Sequence, residues 1–351
     1  MPWAALRADA NRALALNRFS VVDKALAPPS GDRHDYLSQA PYFWRNPATA
    51  DGLPYVRRDG ERNPEIDAIA DHRALDGLEG AVETLALASY VSGDGRYARK
   101  AADLLRAWFV DPATRMNPNL QYAQFVPGVN TGRGIGLIET RGLTRVVDAV
   151  QLLAGSPAWS GADDGAIKAW FSTFLDWMQR STNGRAEADA LNNHGTYYDL
   201  QVASYALFLG RDALARDVID AVRAKRIAIQ IDPDGRQPLE LARTRAWTYS
   251  VGNLDGLTRL AVLGDHVGVD LWHYRTADGR SLRAALLLLT RYASGSRDAW
   301  PYKQLGEWAP QAFYPVLRRA APHYAGDEAL ARAAARIPSP NPADRHLLTG
   351  W

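Results

Sequence analysis

The sequence has 351 residues, a length that suits one large domain or two ordinary ones with a sizeable hydrophobic core. Its 41 basic and 39 acidic residues leave a net charge of +2, which argues against extended nucleic-acid binding. Because cysteine is absent, disulfides, thiolate nucleophiles and cysteine-bound metals are excluded. No uninterrupted apolar run approaches the roughly 18 residues of a membrane span, so we expect a soluble protein without membrane partners.

The first predicted helix is the amphipathic stretch over residues 3–16. Residues 28–67 follow it, and their six prolines and three glycines predict a long irregular segment. Such a segment usually forms a lid or a binding loop, or is disordered. Aromatic and arginine side chains are frequent in this one and rare in disordered linkers, so we predict an ordered lid.

From residue 74 onward the apolar residues recur with a helical period. Further helices are predicted near residues 137–154, 165–181, 197–209, 211–228, 239–264, 281–294, 309–321 and 327–336. Short turns join about a dozen helices in pairs, and neither a fixed repeat nor a shift in composition marks a second domain. We therefore predict an all-α protein, an α/α toroid built as an incomplete barrel of helical hairpins, with residues 1–351 as a single domain and residues 28–67 as its lid segment.

The run from Leu191 to Asp199 contains the first group of candidate functional residues. Thr196 and Asp199 have the spacing of a capping box, which predicts a helix start there with Asn193 and His194 just outside it. Backbone N–H groups and the positive end of the helix dipole would then join an amide and an imidazole in a carboxylate site. Alternatively, Asn193 and His194 only cap the helix and satisfy neighbouring backbone groups.

The second group lies between Pro238 and Ser250, where Arg243 and Arg245 precede Tyr249 by six and four residues. On an unbroken helix Arg245 and Tyr249 would share a face and Arg243 would lie about 120° away, so helical geometry favours Arg245. A cation beside a phenol lowers its pKa from about 10 toward the range that a tyrosine base needs. The alternative is an amphipathic helix with its arginines in solvent and Tyr249 half buried.

Aromatic residues are abundant, with 11 Trp and 15 Tyr. Most stand at helical spacing and are expected in the core. Flat rings with a polar edge also suit sugar rings, and four aromatic residues lie in loop-like segments where burial is less automatic. These candidates for stacking on sugars are Tyr42, Trp44, Tyr55 and Tyr122.

Five separated segments resemble the alginate-lyase superfamily, with polysaccharide lyase families 5 and 38 as the nearest relatives. They are Pro41–Trp44, Gly52–Gly60, Asn63–Glu65, Asn193–Thr196 and Glu240–Tyr249, within a resemblance that covers residues 36–260. The resemblance implies an α/α toroid with a deep groove, and β-elimination of anionic uronate polysaccharides without a metal or another cofactor. It also implies a periplasmic or secreted protein, and because Met1–Trp3 is unlike a signal peptide, we expect that peptide to have been removed.

Carried over residue by residue, the resemblance assigns Asn193 and His194 to neutralising the uronate carboxylate and Tyr249 to catalysis. Arg243 matches the supporting arginine. In the family 5 pattern this arginine stands seven residues before the tyrosine, whereas position 242 here is alanine and Arg243 stands six before, which favours family 38 or a close neighbour over family 5. A bend or a loop in the predicted helix would bring Arg243 to the site; otherwise Arg245 takes the role.

Further substrate-binding candidates come from the lid and from residues 119–134, which resemble the groove wall of the superfamily. They are Arg57, Arg58, Gln124, Arg133 and Arg245, together with Tyr122. The glycine-rich run near Arg133 could instead bind phosphate, but no strand is predicted before it. Arg57 and Arg58 would meet neighbouring uronates, or they are solvated loop charges.

The chemistry of β-elimination explains these roles. The C5 proton of a uronate is too weakly acidic while its carboxylate keeps full charge, so stabilisation by Asn193, His194 and Arg243 is the largest expected contribution. Tyr249 would take the C5 proton and return one to O4, and both lie on the same side of the ring in glucuronate and mannuronate. In guluronate they lie on opposite sides, and His194 would have to act as base. We therefore expect a preference for glucuronan or for polymannuronate of the alginate type.

Two other classes of protein stay open. A glycoside hydrolase on the same toroid would need two opposed carboxylates about 5 to 10 Å apart. Only Asp232, Asp234 and Glu240 are grouped near the second constellation, and Asp-Pro-Asp-Gly predicts a turn. A non-catalytic protein that binds anionic polysaccharides would keep the aromatic residues and arginines without needing Tyr249 beside cations. A metal centre is not expected, because the seven histidines show no i,i+4 pair and HExxH is absent.

Overall fold

The computed structural model describes residues 2–293 and 295–336 of the chain. The chain forms two compact units. The N-terminal unit consists of Trp3–Glu187 with Phe208–Gly210, and the C-terminal unit consists of Pro2, Ala188–Leu207 and the described residues among 211–336. The single catalytic domain over residues 1–351 stays a prediction from the sequence.

Helices dominate both units, as the sequence predicts. In chain order the α-helices are α1 (Pro2–Leu14), α2 (Asp71–Ser92), α3 (Gly95–Leu105), α4 (Leu143–Leu152), α5 (Gly161–Arg180), α6 (Thr182–Ala188), α7 (Asn193–Phe208), α8 (Asp212–Val222), α9 (Ala228–Gln230), α10 (Pro238–Leu241), α11 (Ala246–Val267), α12 (Leu282–Ala293), α13 (Tyr314–Ala320) and α14 (Glu328–Arg336). Two π-helices, Arg106–Val110 and Arg223–Ile227, extend α3 and α8. Among the helices described, none combines the length and the apolar character needed to cross a membrane.

Strands are few and short in the described residues, in agreement with the predicted all-α class. β1 (Leu37–Gln39) pairs in parallel with β4 (Tyr122–Phe125), and β2 (Phe43–Trp44) pairs antiparallel with β3 (Val56–Arg57). Three of these strands lie within the segment 28–67, so that segment is ordered, as predicted. Its action as a lid stays a prediction.

The junction between α2 and α3 illustrates how local sequence sets helix ends. Gly93 ends α2 with a φ of 70°, a left-handed conformation that glycine adopts without a steric cost. The carboxylate of Asp94 then accepts a hydrogen bond from the N–H of Arg96 at 3.0 Å and caps α3. Leu75 and Leu78 on α2 are fully buried, so the helical period predicted from residue 74 onward is confirmed.

The observed helix ends deviate from the predicted ones by up to several residues. The helix predicted over residues 137–154 begins only at Leu143, because Gly134–Thr140 forms a 3-10 helix. The helix predicted over residues 281–294 is α12, and its last predicted residue lies outside the described part of the chain.

A larger difference concerns the helix predicted over residues 239–264, which is broken between α10 and α11. The backbone at the break pairs with a distant segment instead of continuing the helix. The N–H of Ala246 donates to the carbonyl of Lys303 at 3.0 Å, and the N–H of Leu305 donates to the carbonyl of Thr244 at 2.8 Å. Helical periodicity within the segment carries no sign of these partners, since they come from much later in the chain.

Glu79 on α2 is a carboxyl group buried in the N-terminal unit. It is 2% exposed, and its Oε1 has no hydrogen-bond partner among the described residues. Its Oε2 lies 3.5 Å from the guanidinium of Arg145. Burial outweighs this cation and raises the pKa of Glu79 to about 8. The folded protein therefore retains a proton on Glu79 at pH values where the unfolded chain has lost it.

This retained proton makes stability depend on pH. A raised carboxyl pKa means that the free energy of unfolding falls as pH rises from the usual value of 4.5 to about 8. We expect Glu79→Gln, which removes the ionisation while keeping the shape, to match the wild-type Tm near pH 4 to 5 and to exceed it by at least about 2 °C near pH 9. Thermal unfolding followed by circular dichroism across this range tests it, and a constant difference in Tm would contradict it.

Candidate active site

The side chains of Asn193 and His194 belong to the first turn of α7, which begins at Asn193. The prediction that both lie outside the helix is therefore wrong, and its reason is visible in the partners of the supposed capping box. The hydroxyl of Thr196 donates to Gln230 Oε1 at 3.0 Å, and the carboxylate of Asp199 accepts from a guanidinium. Because both groups are engaged with later parts of the chain, the helix starts earlier than the local spacing predicts.

The loop before α7 is held by the buried guanidinium of Arg226, which is 2% exposed. It donates to Asp199 at 2.7 Å and to the carbonyls of Ala188 and Ala190 at 2.8 and 2.7 Å. Gly195 fits against it, since a Cβ there would lie 2.4 Å from Arg226 Nη1 and 2.1 Å from the Ala190 carbonyl oxygen. This clamp fixes the backbone from which Asn193 and His194 project.

Glu240 on α10 accepts hydrogen bonds at the start of α7. The sequence does not identify it as part of a lyase site. The backbone N–H of Asn193 donates to Glu240 Oε1 at 2.6 Å, and its Nδ2 donates to Oε2 at 2.7 Å. Burial raises the pKa of Glu240, and the two hydrogen bonds from Asn193 and the charges of Arg243 and His194 oppose that rise. A carboxyl group of the protein thus already accepts from one backbone N–H at this helix start, where the sequence predicts a site for an external carboxylate.

Arg243 and Tyr249 are brought together by the break between α10 and α11. Arg243 Nη2 donates to the phenolic oxygen of Tyr249 at 2.9 Å, and its Cζ lies 3.9 Å from the centre of the tyrosine ring. The expectation from unbroken helical geometry, which favoured Arg245, is therefore wrong, and the alternative of a loop at this point holds. Arg245 instead pairs through its backbone with Gln304, and its guanidinium lies near Gly306.

Buried hydrogen bonds fix α7 against α11 within the C-terminal unit. The hydroxyl of Tyr197 donates to the carbonyl of Gly252 at 2.8 Å. The Nδ2 of Asn253 donates to Gln230 Oε1 at 2.9 Å, the atom that also accepts from Thr196. His194 and Tyr249 are each partly exposed at the starts of these two helices. The network therefore holds in place the two helices that carry the imidazole and the phenol.

In the N-terminal unit, Arg133 is held by a residue in an unusual conformation. Gln124 has a φ of 49°, in the left-handed region that few residues other than glycine adopt. Its N–H donates to Ser38 Oγ at 2.8 Å, and Ser38 donates to Glu139 Oε2 at 2.6 Å. Both the carbonyl and the side-chain oxygen of Gln124 accept from Arg133, at 3.1 and 2.9 Å. Such strain persists where surrounding contacts enforce it, and it is often found at functional sites.

The guanidinium of Arg133 is partly buried near a second arginine. Burial lowers its pKa and the like charge of Arg57 lowers it further, while the charges of Glu139 and Glu187 oppose this decrease. Its Cζ lies 4.9 Å from the ring centre of Phe43, which leaves the planar group with an apolar neighbour. Arg57 itself is paired with Asp59 at 2.7 Å.

The aromatic candidates of the N-terminal unit divide into two groups. Trp44 is partly exposed, its indole N–H donates to the carbonyl of Glu61, and the guanidinium of Arg58 lies 5.2 Å from its ring centre. Tyr42 and Tyr122 are also partly exposed. Sugar stacking at these three stays a prediction.

Tyr55 differs, because it is only 6% exposed and packs with Ala40 and Val126 in a small apolar core. Its hydroxyl donates to Glu65 at 2.5 Å. The prediction that this ring stacks on a sugar is therefore corrected: Tyr55 supports the segment 28–67 from within.

The acids considered for hydrolysis are engaged in local structure. Gly235, with a φ of 89°, closes a turn in which its N–H donates to the carbonyl of Asp232 at 2.9 Å, as predicted for Asp-Pro-Asp-Gly. Asp234 pairs with Arg236 at 2.7 Å.

Within residues 2–293 and 295–336, no three His, Asp or Glu side chains gather in a group that could hold a metal ion.

Comparisons with known proteins show the family to which the chain belongs. The profile of the family described as alginate lyase matches residues 20–300. An alginate lyase from Bacteroides ovatus is 40% identical, over 100% of this chain and 93% of that chain, with a TM-score of 0.96. Alginate lyase A1-III from Sphingomonas species A1 is 14% identical over 93% and 88% of the two chains, with a TM-score of 0.59. A tetrasaccharide complex of alginate lyase A1-III gives 0.59 at 15% identity, over 92% and 88%. No curated protein sequence matches the chain.

Fold and sequence together define a polysaccharide lyase. The predicted α/α toroid class is confirmed by the match to the Bacteroides ovatus structure, and so is the resemblance to the superfamily. The chain belongs to the alginate lyase family. Family 38 as the closer of the two subdivisions stays a prediction.

Proposed function

We propose that the protein cleaves 1,4-linked uronate polymers by β-elimination, with Tyr249 as base and acid and with Asn193, His194 and Arg243 stabilising the uronate carboxylate. The observation that carries the proposal is the contact between Arg243 Nη2 and the phenolic oxygen of Tyr249 at 2.9 Å. A guanidinium that donates to a phenol oxygen stabilises negative charge on it, which is what a tyrosine needs in order to accept a proton.

The steps follow from these positions. The substrate carboxylate accepts hydrogen bonds from Asn193 and His194, so that charge can move onto it as the C5–H bond breaks. Tyr249 takes the C5 proton, a double bond forms between C4 and C5, and the C4–O4 bond breaks. The departing O4 takes a proton from Tyr249, which leaves an unsaturated sugar at one new end and a hydroxyl at the other. No cofactor is needed for this sequence of steps.

The single tyrosine favours particular substrates. In glucuronate and mannuronate the C5 proton and O4 are on the same face of the ring, so Tyr249 serves both steps. Guluronate presents them on opposite faces and requires a second group, for which His194 is the candidate. Glucuronan and polymannuronate of the alginate type are therefore the proposed substrates. The names of the matched proteins, and the tetrasaccharide bound by alginate lyase A1-III, support an anionic polysaccharide as the partner.

The N-terminal unit offers further contacts for such a chain. Arg133, oriented by Gln124, is placed to meet a carboxylate of the polymer, and Arg57 adds a second cation to its surroundings. Trp44, Tyr42 and Tyr122 are the proposed stacking surfaces, while Arg58 and Arg245 are proposed to bind neighbouring uronates. A polymer of this kind is found outside the cytoplasm of the cell that degrades it, so we propose a periplasmic or secreted location.

Unsaturated products give a direct test. Growth of ultraviolet absorbance is followed on glucuronan, polymannuronate, polyguluronate and hyaluronan, for the wild type and for His194→Ala, with and without a chelator. We expect turnover on the first two polymers, no effect of the chelator, and a loss of about 100-fold or more in kcat/KM for His194→Ala. New reducing ends without absorbance would establish hydrolysis, and binding without cleavage would establish a binding protein.

A further inference from the structure

Glu240 stands between two residues of the proposed site without being one of the groups that the chemistry requires. It is 1% exposed, and both of its oxygens accept hydrogen bonds from Asn193. It lies on α10 just before the break, where the N–H of Arg243 donates to its carbonyl at 3.1 Å. One turn of chain therefore carries both the carboxylate that holds Asn193 and the guanidinium that contacts Tyr249.

We infer that Glu240 is a positioning residue for the elimination, which fixes the carboxamide of Asn193 so that its second N–H is presented to the uronate carboxylate. The inference rests on the proposed function. Both oxygens of Glu240 accept from Asn193, so the atom of the Asn193 carboxamide that faces Glu240 is the nitrogen and not the oxygen. The nitrogen carries two hydrogens, and the one that Glu240 leaves is a donor.

The two hydrogen bonds from Asn193 to Glu240 differ in rotational freedom, and this difference fixes the orientation of the Asn193 carboxamide. The backbone N–H of Asn193 belongs to the first turn of α7 and cannot rotate, so its bond to Oε1 sets the plane of the Glu240 carboxylate. The second oxygen, Oε2, is then aimed at the side chain and selects one of the two amide orientations of Asn193. Without it, the carboxamide could turn its oxygen toward the substrate and repel the carboxylate.

The surroundings of Glu240 distinguish this role from that of an ordinary buried ion pair. Asp199 in the same unit is bound by Arg226, which also binds two main-chain carbonyls and so holds the backbone. Glu240 binds a side chain that the proposed mechanism places on the substrate, and the charges of Arg243 and His194 lower its pKa against the effect of burial. Its loss should therefore affect turnover more than folding.

The experiment compares Glu240→Gln with Glu79→Gln, which removes a buried carboxyl that has no part in the proposed mechanism. The glutamine oxygen can accept from the fixed backbone N–H, but its NH2 group then opposes Asn193 Nδ2, and the carboxamide turns over. We expect kcat on the preferred polymer to fall at least about tenfold in Glu240→Gln, with less than about a threefold change in KM, because the lost interaction acts on developing charge. Glu79→Gln should keep the wild-type kcat.

A double-mutant cycle separates positioning from a structural effect. If Glu240 acts through Asn193, then Asn193→Ala and the double variant Asn193→Ala/Glu240→Gln have the same kcat. Multiplied losses in the double variant, or wild-type kcat in Glu240→Gln, would overturn the positioning role while the wild-type enzyme still supports the proposed function. Absence of wild-type turnover on every uronate polymer would overturn the proposed function and this role with it.

Discussion

Tyr249→Phe leaves at most a few per cent of the wild-type kcat. The substitution removes one oxygen atom, the one that accepts the hydrogen bond from Arg243, and leaves the ring against which the guanidinium lies. Binding of the polymer should persist, because the groups proposed to hold its carboxylates are unchanged. The loss should thus appear in kcat, with KM or Kd within a few fold of the wild type. Initial rates of absorbance growth on glucuronan and polymannuronate, with Kd from calorimetry, measure both.

Tyr274→Phe is the matched control for this variant. Tyr274 also lies in the C-terminal unit beside an arginine, with Arg223 Cζ at 6.0 Å from its ring centre, but it has no place in the proposed mechanism. We expect full activity from it. If Tyr249→Phe retained more than a few per cent of wild-type turnover, another group would be the base, and His194 would be the first to examine.

The site around Tyr249 illustrates what the sequence could and could not predict. The sequence shows the residue types, their order and the resemblance to known lyases. These features identify four candidates, Asn193, His194, Arg243 and Tyr249. Helical periodicity over residues 239–264 then favoured Arg245, because it contains no sign that Lys303 and Leu305 pair with the backbone at the break. A contact between segments distant in sequence overrode a local preference.

The start of α7 followed the same pattern. Thr196 and Asp199 have the residue types and the spacing of a capping box. Their side chains instead form hydrogen bonds with Gln230 and Arg226, which come later in the chain. Glu240 was visible as an acid near Arg243, but its function depends on Asn193, which lies 47 residues earlier. Helices as a class were predictable because periodicity is local, whereas side-chain partners across the chain were not.

Arg243→Ala is expected to reduce kcat/KM by about 100-fold or more. The guanidinium donates directly to the phenolic oxygen, so its removal withdraws a charged hydrogen-bond donor from the atom that must carry negative charge. The same loss should move the rise of activity with pH toward higher pH, since the tyrosine must then lose its proton without the charge of Arg243. Rates measured between about pH 6 and pH 10 would reveal both effects. Arg243→Lys should recover part of the rate, because it restores the charge without the planar fork.

Comparison with Arg245→Ala tests whether the break before α11 defines the site. The two arginines are chemically identical and two residues apart, but the guanidinium of Arg243 contacts the tyrosine oxygen, whereas the backbone of Arg245 pairs with Gln304. Arg245 is proposed to bind a neighbouring uronate, so its removal should act mainly on KM and leave the pH profile in place. If Arg245→Ala instead gave the larger loss in kcat with a shifted pH profile, Arg245 would be the arginine that supports Tyr249 during turnover, as on an unbroken helix. The interruption by Lys303 and Leu305 would then be irrelevant to catalysis, and the assignment of the supporting arginine would reverse.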